Sequence, residues 1–333
     1  MRSTRLAAVA AHLPDRVRTA RETERALRAE NPGLKLATGL IERMTGVGRV
    51  HLRPEGWQAS DLAVAAARVA LDRSPGPVDQ LIFASASQDL VEPATSHIVN
   101  AKLGLGVPVF DVKNACNSVV NAMQVGDAMI RAGQARRILI ASGEAPTAGV
   151  RWRVRDHAQF IRSFPGYVMS DAGAAIVLEA DDSGRAGILD SAFHAVSEHW
   201  SIGTLPGGGT IGGHDPDSLY FDMDGAGLQQ AFLDLGPEPV LDLLRRHGLA
   251  ASDFDLVAIH QVALPYLPPI FERLGVPGDR TVVTVGEHGN LASATLPLQL
   301  ELARERGMVG PGSLVLLIGL AGGISLGLMM VRL

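Results

Sequence analysis

The sequence predicts an α/β protein built as a duplicated, five-layered α-β-α-β-α sandwich, and three observations predict it. Continuous apolar runs such as 80–86 and 137–142 have the character of strands buried on both faces, which require helices above and below the sheet. Helical patterns rich in small residues alternate with these runs. The two halves also repeat when one is slid past the other, with Cys116 falling opposite Asn290 at a separation of 290 − 116 = 174 residues.

The elements follow in order. The short apolar stretch ending at His12 reads as a first strand, because it lacks the long core and cleavage site of a signal peptide. A helix over 59–71, strands over 80–86 and 107–112, a helix opening at Cys116, and strands over 137–142 and 174–180 complete the first half. The second half repeats the pattern with a helix over 227–247, strands over 255–260 and 281–285, a helix from Asn290, and strands over 313–318 and 325–333. Gly319, Gly322, Gly323 and Gly327 make the apolar C-terminus two strands and a turn rather than a membrane span. The expected boundaries are 1–182 and 183–333, with 145–220, rich in Gly, Pro, Arg and aromatics, forming cap and interface loops outside either repeat.

Composition narrows the function classes. With 47% hydrophobic and 20% charged residues the chain is a well-packed globule, and 333 residues suffice for two domain-sized halves. A net charge of −5 supplies no global basic field, so neither nucleic acid nor an anionic membrane is the expected partner. A single cysteine excludes a disulfide framework and, without a secretion signal, points to the reducing cytoplasm. No Cys or His pair has zinc spacing, so no metal or resident cofactor is expected.

That cysteine, Cys116, lies in Asp111-Val112-Lys113-Asn114-Ala115-Cys116-Asn117-Ser118, between an apolar strand and a helix start. Free backbone N–H groups and the positive end of a helix dipole favour a thiolate there, so a nucleophile with a lowered pKa is expected; the alternative is a small buried hydrophobe. His260 closes a strand pattern, and Asn290 follows a strand and a glycine turn, His288-Gly289-Asn290. Cys, His and Asn form a workable acyl-transfer set: an imidazole moves a proton near neutral pH, and a carboxamide N–H stabilises a carbonyl oxygen gaining charge. Taken singly, His260 reads as a structural histidine and Asn290 as a helix cap.

These motifs, with Ile259-His260-Gln261, Ala292-Ser293-Ala294 and Ala321-Gly322-Gly323-Ile324-Ser325-Leu326-Gly327, resemble the thiolase superfamily over nearly the whole chain, in its ketoacyl-ACP synthase III branch. The resemblance implies that Cys116 accepts an acyl group, that the backbone N–H groups of Cys116 and Gly322 form an oxyanion hole, and that His260 and Asn290 hold the second thioester. Coenzyme A or acyl-carrier-protein thioesters are the implied substrates, and a homodimer, or a heterodimer with a paralogue, is the implied assembly. Leu40 and Met44 replace a tryptophan and an arginine that grip coenzyme A in the priming synthases, and Ala263 and Pro265 replace an asparagine and an arginine after the histidine. These departures weigh against malonyl decarboxylation. Ser87-Gln88-Asp89-Leu90-Val91-Glu92-Pro93-Ala94 instead resembles the loop of OleA-type and pyrone-forming thiolases, which implies that Glu92 crosses a dimer interface to remove the α-proton of a second acyl chain.

The resulting expectation is a non-decarboxylative Claisen condensation of two acyl thioesters. The alternatives are a decarboxylative synthase III using malonyl-ACP, acyl transfer to an alcohol or amine, and a noncatalytic partner of a paralogous enzyme. Arg151, Arg153 and Arg155, with Arg162, form a basic run suited to substrate phosphates or an acidic carrier, or else a solvated face. The glycine cluster 207–213 lacks a phosphate-loop ending and reads as a surface loop, and Ser170-Asp171-Ala172-Gly173 reads as a structural turn.

Overall fold

The computed structural model describes residues 3–184 and 186–333. Two sheets carry the fold. The first contains β1 (Ser3–His12), β2 (Gln80–Ala84), β3 (Val109–Val112), β4 (Arg137–Glu144) and β5 (Ala172–Asp181) in the order β1-β5-β4-β2-β3. Its β4/β2 and β2/β3 pairs are parallel, and its β1/β5 and β4/β5 pairs antiparallel. The second contains β6 (Gly187–Ala195), β7 (Leu256–Ile259), β8 (Leu314–Ala321) and β9 (Ser325–Arg332) in the order β7-β8-β9-β6, with β7/β8 parallel and the other pairs antiparallel.

Helices supply the other layers. Helix α1 (Ala59–Arg73) packs outside the first sheet, where its alanines meet Ala8, Leu81, Leu139 and Val177. Gly143 and Gly173 are cross-strand partners on β4 and β5, and a Cβ on either would collide with the carbonyl of Ala59 or Leu62. The absence of these side chains lets the first turn of α1 press onto the sheet. Helix α2 (Ser118–Arg131) touches β1, β2, β4 and β5 of one sheet and β9 of the other, and helix α5 (Thr295–Glu305) touches β1, β5, β7 and β8. Both therefore lie in the central layer. Helices α3 (Gly225–Leu235) and α4 (Glu238–Arg246) belong to the second half, and Val240, Leu243 and Leu244 of α4 join the core on the outer face of the second sheet. The five layers of the sequence reading are present.

Several elements differ from expectation. The stretch 281–285 forms no strand; 281–284 is irregular and Val285–His288 is a short helix. The Gln261 side chain occupies the backbone groups a ladder would use, donating to Val282 O at 2.8 Å and accepting from the N–H groups of Thr284 and Val285 at 2.8 and 3.1 Å. The helix expected over 227–247 is broken at Gly236-Pro237, where Gly236 adopts φ +69°. Within 145–220 the strand expected over 174–180 is β5, but a further strand that was not expected, β6, forms an edge of the second sheet. Mixed residues such as Asp190, Ser191 and His194 hid β6 from a search for apolar runs. The last two helices of the repeat begin after their key residues, at Ser118 and Thr295 rather than at Cys116 and Asn290.

Candidate active site

A cavity of about 1230 Å³ opens between the two halves, and Cys116, His260, Asn290 and Gly322 all line it. Each reaches it from the end of a core element. Cys116 sits in the turn between β3 and α2, His260 directly follows β7, Asn290 follows the Val285–His288 helix, and Gly322 lies in the β8–β9 turn. Among the described residues, Ala115 (φ +45°) and Ala292 (φ +48°) are the non-glycine residues with positive φ, one beside Cys116 and one beside Asn290. Left-handed backbone of this kind costs on the order of 1 kcal/mol or more for alanine, so the surrounding packing must hold both turns in place.

The electrostatics of Cys116 differ from the sequence expectation. Its thiol is pushed up to about 12 by burial and by the Glu144 carboxylate. The cysteine is placed before the first residue of α2 rather than on it, and these two causes outweigh the neighbouring backbone N–H groups. His260 is buried, both its ring nitrogens lack hydrogen-bond partners, and burial lowers its pKa to about 4. It therefore lines the cavity as a neutral imidazole with a free acceptor and a free donor. Asn290 is fixed at three points: its N–H donates to Val168 O at 2.8 Å, its carbonyl accepts from Ser170 N at 2.9 Å, and its Oδ1 accepts from Ala292 N at 2.9 Å. With Oδ1 so engaged, Nδ2 is the donor left to a substrate.

Glu144, at the end of β4, is a site residue that the sequence reading missed. It is fully buried, lines the cavity, and accepts from Ala86 N at 3.1 Å, Ser87 Oγ at 3.2 Å, Ser293 N at 3.4 Å and Ser293 Oγ. Burial raises its pKa, and hydrogen bonding from Ser293, Ala86 and Ser85 opposes the rise. A carboxylate ending an otherwise uncharged, fully buried stretch, Ile138–Gly143, was the available signal. His288 and His51 stack nearby; because His51 Nδ1 donates to Pro14 O at 2.7 Å, its Nε2 accepts from His288 Nδ1 at 3.0 Å. Asp171 is fully buried and binds Thr147 and Arg53, so the turn it occupies holds loops around the cavity, as expected of a structural turn.

Other sequence candidates lie elsewhere. Glu92 is exposed and absent from the cavity wall of its own chain, whereas Leu90 and Val91 before it line that wall. Arg151, Arg153 and Arg155 do not line the cavity. Arg151 pairs with Asp217 at 2.8 Å and stacks on Tyr220, Arg155 approaches Asp217 at 3.6 Å, and Arg153 pairs with Glu30 at 3.3 Å. The basic residues on the cavity wall are instead Arg53, Lys113 and Arg273. Of the glycine cluster, Gly207 and Gly208 face the cavity. Among the described residues no group of three His, Cys, Asp or Glu side chains suits a metal ion, and no helix is long and apolar enough to cross a membrane.

Comparison with solved structures defines the class. Xanthomonas campestris OleA superposes with a TM-score of 0.90 at 22% identity over 99% of this chain and 98% of that one. The 3-oxoacyl-(acyl carrier protein) synthase III of Xanthomonas oryzae does so with 0.89 at 23% identity over the whole of both chains. The fold is the duplicated thiolase fold, and with the sequence relatives it makes this chain an acyl-transferring condensing enzyme. Models of the 3-oxoacyl-[acyl-carrier-protein] synthase III family match residues 110–197, and of its C-terminal part residues 244–333. The β-ketoacyl-[acyl-carrier-protein] synthase III of Cereibacter sphaeroides is 31% identical over 96% of both chains, and that of Rhodospirillum rubrum 34% identical over 88% of this chain and 90% of its own. The chain belongs to the 3-oxoacyl-[acyl-carrier-protein] synthase III family.

Proposed function

We propose that this enzyme joins two acyl thioesters, each carried by coenzyme A or a carrier protein, by Claisen condensation without decarboxylation. Cys116 attacks the first thioester and releases its thiol, giving acyl-Cys116, with the Cys116 and Gly322 N–H groups receiving the negative oxygen. The carbonyl of the second thioester is held by His260 and Asn290. Glu92 of the partner subunit of a dimer takes its α-proton. The resulting enolate carbon attacks the acyl-Cys116 carbonyl, the carbon–sulfur bond breaks, and a β-ketoacyl thioester leaves with Cys116 restored.

The observation that carries this reading is the Leu90-Val91-Glu92 loop, which lines the cavity up to Val91 and then presents Glu92 outside it. A carboxylate so placed serves a neighbouring subunit better than its own. The cavity adds support, because its wall carries Phe221, Leu228, Phe232 and Leu267 and its volume of about 1230 Å³ exceeds the usual range of small-molecule sites. One solved OleA neighbour holds lauric acid and lauroyl-CoA. The sequence relatives, both named β-ketoacyl-[acyl-carrier-protein] synthase III, favour a second reading in which malonyl-ACP is decarboxylated to supply the carbanion.

The two readings separate on products. The protein is incubated with acyl-CoAs, with and without malonyl-ACP, and the mixture is analysed by mass spectrometry. A β-ketoacyl-CoA, or the β-keto acid left by its hydrolysis and the ketone left by loss of CO2 from that acid, is expected from acyl-CoA alone, and Glu92→Ala should abolish it while leaving acyl-Cys116. Product only with malonyl-ACP, accompanied by CO2, or undiminished condensation by Glu92→Ala, would overturn the proposal.

A further inference from the structure

The Asn117 side chain ties the turn carrying Cys116 to Ser325, at the start of β9 just after the turn carrying Gly322, and Ser325 Oγ also reaches Asn114 Oδ1 at 3.5 Å. Asn117, fully buried beside Cys116, donates from Nδ2 to Ser325 O at 3.1 Å and to Ser325 Oγ at 3.0 Å. A carbonyl oxygen only accepts, so the bond to Ser325 O fixes which end of the carboxamide faces β9. Asn117 Oδ1 is then buried without a partner against Gly319 of β8, where a Cβ would collide with it. A buried unpaired acceptor is unfavourable, so the two bonds to Ser325 are made at the expense of the other end of the same group.

The turn at Cys116 is braced from within as well. Ser118 Oγ donates to Ala115 O at 2.7 Å and accepts from Asn114 N at 2.9 Å, and Asn114 Nδ2 donates to Asn121 Oδ1 at 2.7 Å. Those bonds are local to one half of the molecule. The Asn117–Ser325 contact joins the two repeats at positions one residue after Cys116 and three after Gly322.

We infer that Asn117 is a positioning residue that sets the separation of the Cys116 and Gly322 backbone N–H groups by clamping the nucleophile turn to the β8–β9 turn. The inference rests on the acyl-Cys116 reading above. It assigns Asn117 no contact with substrate. Its effect is on where the two donors point when a tetrahedral oxygen forms between them, and Gly319 is required because any side chain there would push the carboxamide away.

The test compares two reactions of the same sulfur. Acylation of Cys116 by an acyl-CoA passes through an oxyanion, whereas alkylation by iodoacetamide displaces iodide and needs no oxyanion hole. Asn117→Ala should slow single-turnover acylation about 10- to 100-fold, as expected for donors displaced by a fraction of an ångström, with little change in the acyl-CoA concentration giving half the maximal rate. Alkylation should stay within about threefold, since thiolate formation does not depend on Gly322. Ser325→Ala, which keeps the carbonyl acceptor, should give a smaller loss that Ser325→Thr restores, and Gly319→Ala should reproduce the Asn117→Ala defect from outside the cavity. Equal losses in acylation and alkylation would overturn the inference, because Asn117 would then only keep the cysteine turn folded. A wild-type enzyme that iodoacetamide labels at Cys116 but that no acyl-CoA acylates would overturn the acyl-Cys116 reading itself, and the clamp's purpose with it.

Discussion

Burial, and then the neighbouring Glu144 carboxylate, push the Cys116 thiol up to about 12, so the neutral thiol is the resting form. Glu144→Gln removes the charge and keeps the shape. The thiol pKa should fall from about 12, the thiolate fraction at pH 8 should rise, and iodoacetamide should label Cys116 several-fold faster, up to about tenfold. An unchanged pH profile of alkylation would mean that Glu144 is itself protonated at rest. Cys116, His260 and Asn290 were legible as candidates only as a set, because each taken singly has an ordinary structural reading while their order matches a known pattern. Glu144 was not, because its partners Ala86, Ser87 and Ser293 come from two distant segments that only the fold brings together. The pKa of Cys116 was misjudged for the same reason: helix position is local, and burial is not.

The same division separates the elements that were foreseen from those that were not. Strands β2, β4, β5, β8 and β9 announce themselves as apolar runs, and Gly236-Pro237 carried an ignored signal for the break between α3 and α4. The apolar segment 281–285 satisfies the same pattern as a strand yet is not one, since it sits beside β7 with Gln261 supplying its hydrogen bonds. A glutamine following a catalytic-type histidine offers no sequence sign of that duty. Gln261→Leu should therefore destabilise the protein by about 2–4 kcal/mol, combining four lost bonds with buried backbone groups left unpaired. Urea unfolding measures the loss. Because the segment leads into Asn290, acylation-coupled turnover should fall as well, and a loss below about 1 kcal/mol would show that 281–285 holds its course without Gln261.

Across the whole molecule, burial leaves His260 in the cavity wall and the stacked pair His51 and His288 poorly hydrated, and this makes stability depend on pH in a defined window. Burial lowers His260 and His288 to about 4, and burial also lowers His51, against the opposing hydrogen bond to Pro14. About a pH unit or more above 6.5 these rings are neutral in the folded and unfolded chains alike and contribute no pH dependence. As pH falls from about 6.5 towards about 4, the unfolded chain binds protons that the folded chain refuses, so stability drains away through that interval and levels off below it. Asp61 and Asp190, whose pKa values are lowered by contact with Lys102 and His247 against an opposing burial effect, add a further loss only at lower pH, when their carboxylates protonate. The melting temperature should thus decline by stages, first with the histidines and then with the carboxylates. His260→Asn tests the assignment cleanly, because the His260 ring makes no hydrogen bond that the substitution would remove. Its melting temperature should fall less steeply than wild type between pH 6.5 and 4.5 while the two curves keep the same slope below pH 3.5, so a parallel decline throughout would place the acid sensitivity elsewhere in the core.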